Sequence, residues 1–436
     1  MTAPGSAPTR IAVVGLWHLG AVIAAVLADA GNAVSATDSD AELLAGLRNG
    51  QPAVAEPGLA ELIGSGRDSG ALRFVALDDE ALREAEIVWI AADTPVGDDD
   101  VADPQSVIDE AFAVTSRARP GALVIVSSQL PVGSIAQLER RLQAIGRDDL
   151  AVACMPENLR LGQAIETFRA PERFVVGVRD EADRARVVAL LGPFGGAIEW
   201  MRVESAEMTK HALNAFLATS IAFINEIATV GEEVGADAEE VSRGLMGDRR
   251  IGPGAYLRPG GAFAGGTLAR DLQFLAEIAG EQGLATSLLD GVRVSNRAHE
   301  QWSRRVLRSV LGDLAGRCVG IWGLTYKPGT DTLRRSSALS LCEWLLECSA
   351  TVTAHDPVVS SVPLRGVQIC ATAVAAASDC DALVIGTPWP EYRGVDPTAV
   401  LNAMSEPVVL DPSGFLARTL GSAASVRYLR VGAPRA

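Results

Sequence analysis

Residues 10–31 read RIAVVGLWHLGAVIAAVLADAG, and the reading of this stretch decides the fold. The apolar run 11–14 predicts a buried strand, residues 19–30 a helix, and Gly15 and Gly20 bracket the turn between them. A strand, a glycine turn and a helix in that order predict the start of a dinucleotide-binding βαβ unit. The fingerprint G-x-G-x-x-G uses its first glycine for the turn, its second for close approach to a pyrophosphate and its third for helix–strand packing. Here Trp17 stands at the second position. Asp38, at the end of the next apolar run AVSATD, restores the pattern. A carboxylate there bonds both ribose hydroxyls and repels a 2′-phosphate, so NAD is the expected cofactor rather than NADP.

Outward from this stretch, strand and helix patterns alternate. EIVWIAADTP and GALVIVSSQLPVG read as further strands ending in polar loops. From about Ser205 to Gly235 the chain reads as one long helix without proline, and 269–312 is helical again. CVGIWGLTYKPGTD then restarts the strand-and-loop pattern, followed by a helix over 338–348, TVTAHDP and DALVIGTPWPEY. The two ends share a theme, an apolar strand into a glycine turn and a second strand ending in aspartate (Asp38; Asp356). The expected fold class is α/β, with two Rossmann-like doubly wound parallel-sheet domains joined by a long central helix and a helical middle domain. The expected divisions are a loose tail over 1–9, an NAD-binding domain over 10–204, a helical and dimerisation domain over 205–312, and a substrate-binding domain over 313–436.

The chain has 436 residues, 48% hydrophobic and 21% charged, which describes a globular protein of two or three domains. Its net charge of −16 argues against a nucleic-acid partner. The six cysteines form no CxxC pair and no metal-ligand spacing, so no metal is expected; they read as free thiols in a reducing cytoplasm. The apolar stretch 11–28 is broken by Gly15, His18 and Gly20 and is preceded only by Arg10, which disfavours a signal peptide. No run reaches the ~18 apolar residues of a membrane span. Of 38 basic residues only Lys210 and Lys327 are lysines. Arginine has replaced lysine wherever a plain charge suffices, so these two mark positions that need a compact ammonium. His18, His211, His299 and His355 show no triad or metal spacing and read as structural.

The ordered motifs EPGL (56–59), TP (94–95), QLPVG (129–133), MPENLRLG (155–162) and AEMTKHALNAFLATSIAFINEI (206–227) carry a resemblance. So do RIGPGAYLRPGGAFAGGTLARD (250–271), GLTYKPGTDTLRRSSAL (323–339), AHDP (354–357) and TPWPEY (387–392). Over about residues 10–420 the chain resembles the UDP-glucose/GDP-mannose dehydrogenase family. The resemblance implies a nucleotide-sugar site between the two end domains and oxidation of a primary alcohol to a carboxylate with two NAD. In that pattern a cysteine thiolate traps the intermediate aldehyde, and the resulting thioester is cleaved by water.

The resemblance places cofactor-binding residues at Gly15, Trp17, His18, Leu19, Gly20, Asp38, Thr94, Pro95, Ser128 and Gln129. It places substrate-binding residues at Glu157, Leu159, Lys210, Asn214, Tyr256, Leu257, Gly260, Phe263, Gly265, Tyr326, Lys327 and Arg334. Lys210 stabilises a developing alkoxide, Asn214 positions a water, and Asp271 accepts the alcohol proton through water. Glu157 matches a residue of thioester hydrolysis. The nucleophile position is Thr267, whose hydroxyl lacks an obvious base. Gln129, Leu161, Arg270 and Ser413 depart from the pattern as well. The expected function is an NAD-dependent oxidation of a sugar nucleotide or nucleoside-derived sugar to the aldehyde. Oxidation to the carboxylate through an aldehyde hydrate, transient oxidation for epimerisation and a non-catalytic binding protein are the alternatives. The expected partners are the small-molecule substrate and a second copy of the chain, docked through the long helix, with no membrane.

Overall fold

The computed structural model describes residues 8–96, 102–156, 159, 161–264 and 266–434. They divide into two compact units, 1–212 and 213–436. The division falls inside the long helix Val203–Val234.

The first unit carries eight strands: β1 Arg10–Val14, β2 Ala33–Thr37, β3 Leu72–Phe74, β4 Ile87–Ile90, β5 Leu123–Val126, β6 Ala151–Cys154, β7 Arg173–Gly177 and β8 Ala197–Met201. Their order in the sheet is β3-β2-β1-β4-β5-β6-β7-β8. The first six are parallel in the doubly wound order 3-2-1-4-5-6, with the switch point between β1 and β4. Side chains of successive residues leave opposite faces, so a strand covered on both sides must be apolar throughout. Ile11 and Val13 enter one core and Ala12 and Val14 the other. This is why IAVV shows no alternation. The sheet departs from the all-parallel expectation at β6, which pairs antiparallel with β7. The antiparallel contact is a single pair, Cys154 with Gly177, after which β7 and β8 run parallel to each other.

The second unit carries β9 Cys318–Trp322, β10 Thr351–His355, β11 Val367–Ile369, β12 Ala382–Ile385, β13 Val408–Leu410 and β14 Arg427–Leu429. The order β11-β10-β9-β12-β13-β14 repeats the doubly wound pattern. Val319 and Ile321 pack into one core and Trp322 into the other. The stretch read as one helical region, 269–312, is three helices, Thr267–Glu281, Ser287–Glu300 and Trp302–Leu311. Gly283, at φ +65°, turns the chain after the first.

The long helix is 32 residues and apolar enough to cross a membrane by length and composition. It nonetheless buries Glu207, His211, Asn214, Asn225 and Glu232 against protein partners, and it is a core helix.

Candidate active site

The shared theme of the two ends holds at atomic detail. Gly15 N donates to Thr37 O (3.0 Å) and Leu16 N to Asp38 Oδ2 (2.6 Å). Gly323 N donates to His355 O (2.8 Å) and Leu324 N to Asp356 Oδ2 (2.7 Å). Each aspartate therefore holds the glycine turn of the preceding strand. Their remaining capacity differs. Asp356 is buried and also accepts from Thr325, Val358 and Val359 amides and from the Trp389 indole (3.1 Å). Among the described residues Asp38 accepts one more bond, from Asp40 N (2.8 Å). A carboxylate offers about four lone-pair sites, so Asp38 retains acceptors for a ribose diol. Asp356 spends its capacity on its own loop.

The turn itself tolerates Trp17. Gly15 adopts φ +87°, and a Cβ there would sit 2.2 Å from Ala92 Cα. A Cβ on Gly20 would sit 1.7 Å from Gly15 O. The two retained glycines are those the backbone packing requires. Trp17 is 54% exposed and lies edge-on to the His18 ring. His18 Nε2 meets Glu56 Oε2 (3.0 Å), and Glu56 also accepts from Gly162 N (2.7 Å) and Ala164 N (2.8 Å). Burial alone would raise Glu56, but the two amides and the His18 ring outweigh it and hold the carboxyl below its ordinary value. Glu56, from EPGL, thus ties the glycine loop to the last residue of MPENLRLG and the start of the helix after it. Among the described residues the sequence reading gave it no role.

The residues of this unit fit a dinucleotide. Helix Leu19–Asp29 starts with no side-chain cap and no acidic residue in its first turn, leaving its first amides for an anion. Ser128 Oγ is buried with no hydrogen-bond partner in the described structure, and one carboxylate oxygen of Glu110 is in the same state. Burial, and then the Asp38 charge, push Glu110 up. Thr94 donates to Gln129 O (2.6 Å), joining the loops after β4 and β5; Pro95 beside it is exposed.

The long helix presents Glu207, Lys210, His211 and Asn214 at i, i+3, i+4 and i+7, on one face. Glu207 accepts from Gly133 N (2.8 Å) and Ile135 N (3.0 Å), and His211 Nε2 donates to Leu130 O (2.9 Å). Together they seat the QLPVG loop on this face. Burial pushes the Glu207 carboxyl up. The spacing of Glu207 from Lys210 was the available signal for its role. Lys210 is half-buried and stands one turn before Asn214, whose side-chain amide donates to Asp271. Asn214 and Asp271 are both buried.

Asp271 belongs to helix Thr267–Glu281, whose first residue is Thr267. Thr267 is exposed and lies one turn before Asp271. Within the second unit the preceding loop is pinned at several points. Gly260 N donates to Asn225 Oδ1 (3.0 Å), His299 Nε2 donates to Gly260 O (2.8 Å), and Asn296 exchanges two bonds of 2.9 Å with the Phe263 backbone. Burial drives the His299 imidazole down, so it serves this loop as a neutral donor. Leu257 is buried, while Tyr256 is 41% exposed.

A cavity of about 550 Å³ opens at the switch point of the second sheet. Phe263, Arg304, Tyr326, Arg335, Ser337 and Ser413 are among its walls. Arg335, held at φ +61°, lines it; Arg334 is exposed and does not. Lys327 Nζ lies 5.3 Å from the Tyr326 ring centroid. Leu159 packs beside the core of the first unit. Glu157 and Gly265 lie outside the described residues.

Three family models match the chain in order: the NAD binding domain of the UDP-glucose/GDP-mannose dehydrogenase family over residues 9–194, its central domain over 204–298 and its UDP binding domain over 320–418. The UDP-glucose 6-dehydrogenase of Pseudomonas aeruginosa is 34% identical over 450 residues, covering 98% of each chain. UDP-glucose 6-dehydrogenase TuaD of Bacillus subtilis is 32% identical, covering 98% of this chain and 93% of its own. Among solved structures, a UDP-glucose dehydrogenase from the hyperthermophilic archaeon Pyrobaculum islandicum superposes with a TM-score of 0.87 at 30% identity, covering 99% of this chain and 100% of its own.

Proposed function

The chain belongs to the UDP-glucose/GDP-mannose dehydrogenase family and is an NAD-dependent nucleotide-sugar dehydrogenase; from that premise we propose that it oxidises a primary alcohol of a UDP-sugar and stops at the aldehyde. One contrast along the helix Thr267–Glu281 carries the reading. Asp271 is buried and bonded to Asn214, while Thr267, one turn earlier, offers an exposed hydroxyl with no hydrogen-bond partner among the described residues. The groups for removing a proton from an alcohol are retained. The group at the position for trapping an aldehyde covalently is a hydroxyl with no base bonded to it among the described residues.

In this reading Lys210 holds the developing alkoxide, and Asp271 takes the alcohol proton through a water that Asn214 positions. Bound NAD supplies the two-electron acceptor. Gly15, Gly20, the first amides of helix Leu19–Asp29, Asp38 and Ser128 are the residues that would hold it. Lys327, Tyr326 and Arg335 supply the polar wall for the nucleotide sugar.

The test is the electron count. With NAD and UDP-glucose, or another sugar of a UDP-, GDP- and TDP-sugar panel, we expect one NADH per molecule of product and an aldehyde by mass spectrometry. Two NADH per carboxylate in the native chain would overturn the aldehyde reading in favour of oxidation through the hydrate. In Thr267→Cys a thiol stands at a helix N-terminus, where thiolate is favoured. That variant is expected to raise the count to two NADH and yield carboxylate.

The long helix also supports pairing of two copies. Phe216, Phe223 and Val230 are exposed and recur at seven-residue intervals, so they line one edge of the helix. Phe216, at 67% exposure, is the largest of these apolar groups in water. Phe216→Asp is expected to convert a dimer to a monomer in light scattering after gel filtration. An unchanged mass would place the contact elsewhere.

A further inference from the structure

The second sheet brings together two cysteines that the sequence keeps 62 residues apart. Cys318 opens β9, and Cys380 stands two residues before β12, the neighbouring strand. Asp381 N donates to Cys318 O (2.8 Å), and Cys318 N donates to Asp381 Oδ2 (2.8 Å). Arg317 Nη1 binds the other oxygen of Asp381 (2.9 Å). This clasp fixes the two strand starts side by side, and it places the Cys318 and Cys380 sulfurs 3.1 Å apart. Cys380 is fully buried and is further held by the Thr353 hydroxyl (3.3 Å). Cys318 is half-buried and open to small molecules.

We propose that Cys318 and Cys380 form a reversibly oxidisable dithiol, a modification site for hydroperoxides at the N-terminal ends of the two central strands of the second sheet, opposite the end that lines the cavity. The Cys318 thiolate attacks the O–O bond of hydrogen peroxide, forming a sulfenic acid and releasing hydroxide, which takes up a proton. Cys380 then attacks the Cys318 sulfur, giving up its proton, and the S–S bond forms as water leaves. The balance is two thiols and one peroxide to one disulfide and two waters. A disulfide bond is about 2 Å, so the sulfurs close the gap with roughly 1 Å of motion. The neighbouring Cys380 holds the Cys318 thiol below its ordinary value, while the same contact and burial push Cys380 up. That split makes the accessible sulfur the attacking one and the buried sulfur the resolving one.

The test uses the full chain with hydrogen peroxide as the oxidant. After treatment, alkylation under denaturing conditions is expected to find two fewer thiols than the six of the reduced chain, both restored by a dithiol reductant. Cleavage at Asp379 and Asp381 separates Cys380 from Cys370, and mass spectrometry is expected to show the Cys318–Cys380 cross-link. The oxidised chain is expected to melt at a higher temperature, because the closed loop is long. Cys318→Ser and Cys380→Ser each abolish the cross-link, and Cys370→Ser leaves it. Accumulation of sulfinic acid on Cys318 with Cys380 still reduced, or a cross-link from Cys318 to Cys370, would overturn the proposal. The mapping on the native chain decides the matter even where a serine variant folds poorly.

Discussion

Lys210→Met is expected to lower kcat by about 10²–10³ and to leave NAD affinity within a factor of about two. Lys210 stands one turn before Asn214, and Asn214 donates to the buried Asp271 carboxylate. An ammonium at that place meets negative charge as the alcohol loses its proton, and it gains little from the neutral alcohol. Its removal therefore acts on the transition state more than on binding. Only two lysines stand among 38 basic residues, so arginine was accessible to this position and was not used. Lys210→Arg is accordingly expected to rescue less than a tenth of the lost rate, because the planar guanidinium cannot take the place of a compact donor. Steady-state kinetics with isothermal titration of NAD measures both. A loss in NAD affinity equal to the loss in rate would move Lys210 out of the chemical step.

Gly20→Val is expected to abolish measurable NAD binding and to lower the melting temperature by roughly 5–10 °C. The cause is local. A Cβ on Gly20 falls 1.7 Å from the Gly15 carbonyl oxygen, and Gly15 itself is enclosed by Ala92. The clash cannot be relieved by turning a side chain, since backbone lies on both sides of it. The helix start must retreat from β1, taking its first amides away from the place where they would meet a pyrophosphate. Trp17→Gly is the contrasting change. Trp17 is exposed and its side chain fills no core, so the substitution is expected to leave the melting temperature within about 2 °C. Titration of NAD into both variants, with calorimetric melts, separates packing from ligand contact.

Much of the candidate site's local geometry was legible because its signals are local. Gly15, Gly20 and Asp38 lie within one βαβ unit, and a backbone turn that needs a positive φ advertises itself as glycine. Lys210 and Asn214 were legible for the same reason, since four residues of helix put them on one face. Glu56 was not, because its meaning is a set of three donors from two distant loops. Arg335 against Arg334 was not legible either. Which of two adjacent arginines faces the cavity is decided by one left-handed backbone residue, and a charged side chain carries no pattern for that.

The sequence by itself determined the doubly wound sheets and the family, because buried parallel strands and glycine turns constrain residue type directly. The tertiary structure alone decided three further matters. It turned β7 against β6, a pairing direction set by contact between strands and not by residue type along either one. It spent Asp356 on its own loop and spared Asp38, although both close the same motif. It also set Cys318 against Cys380, a contact made by strand adjacency between β9 and β12 that no spacing along the chain could announce.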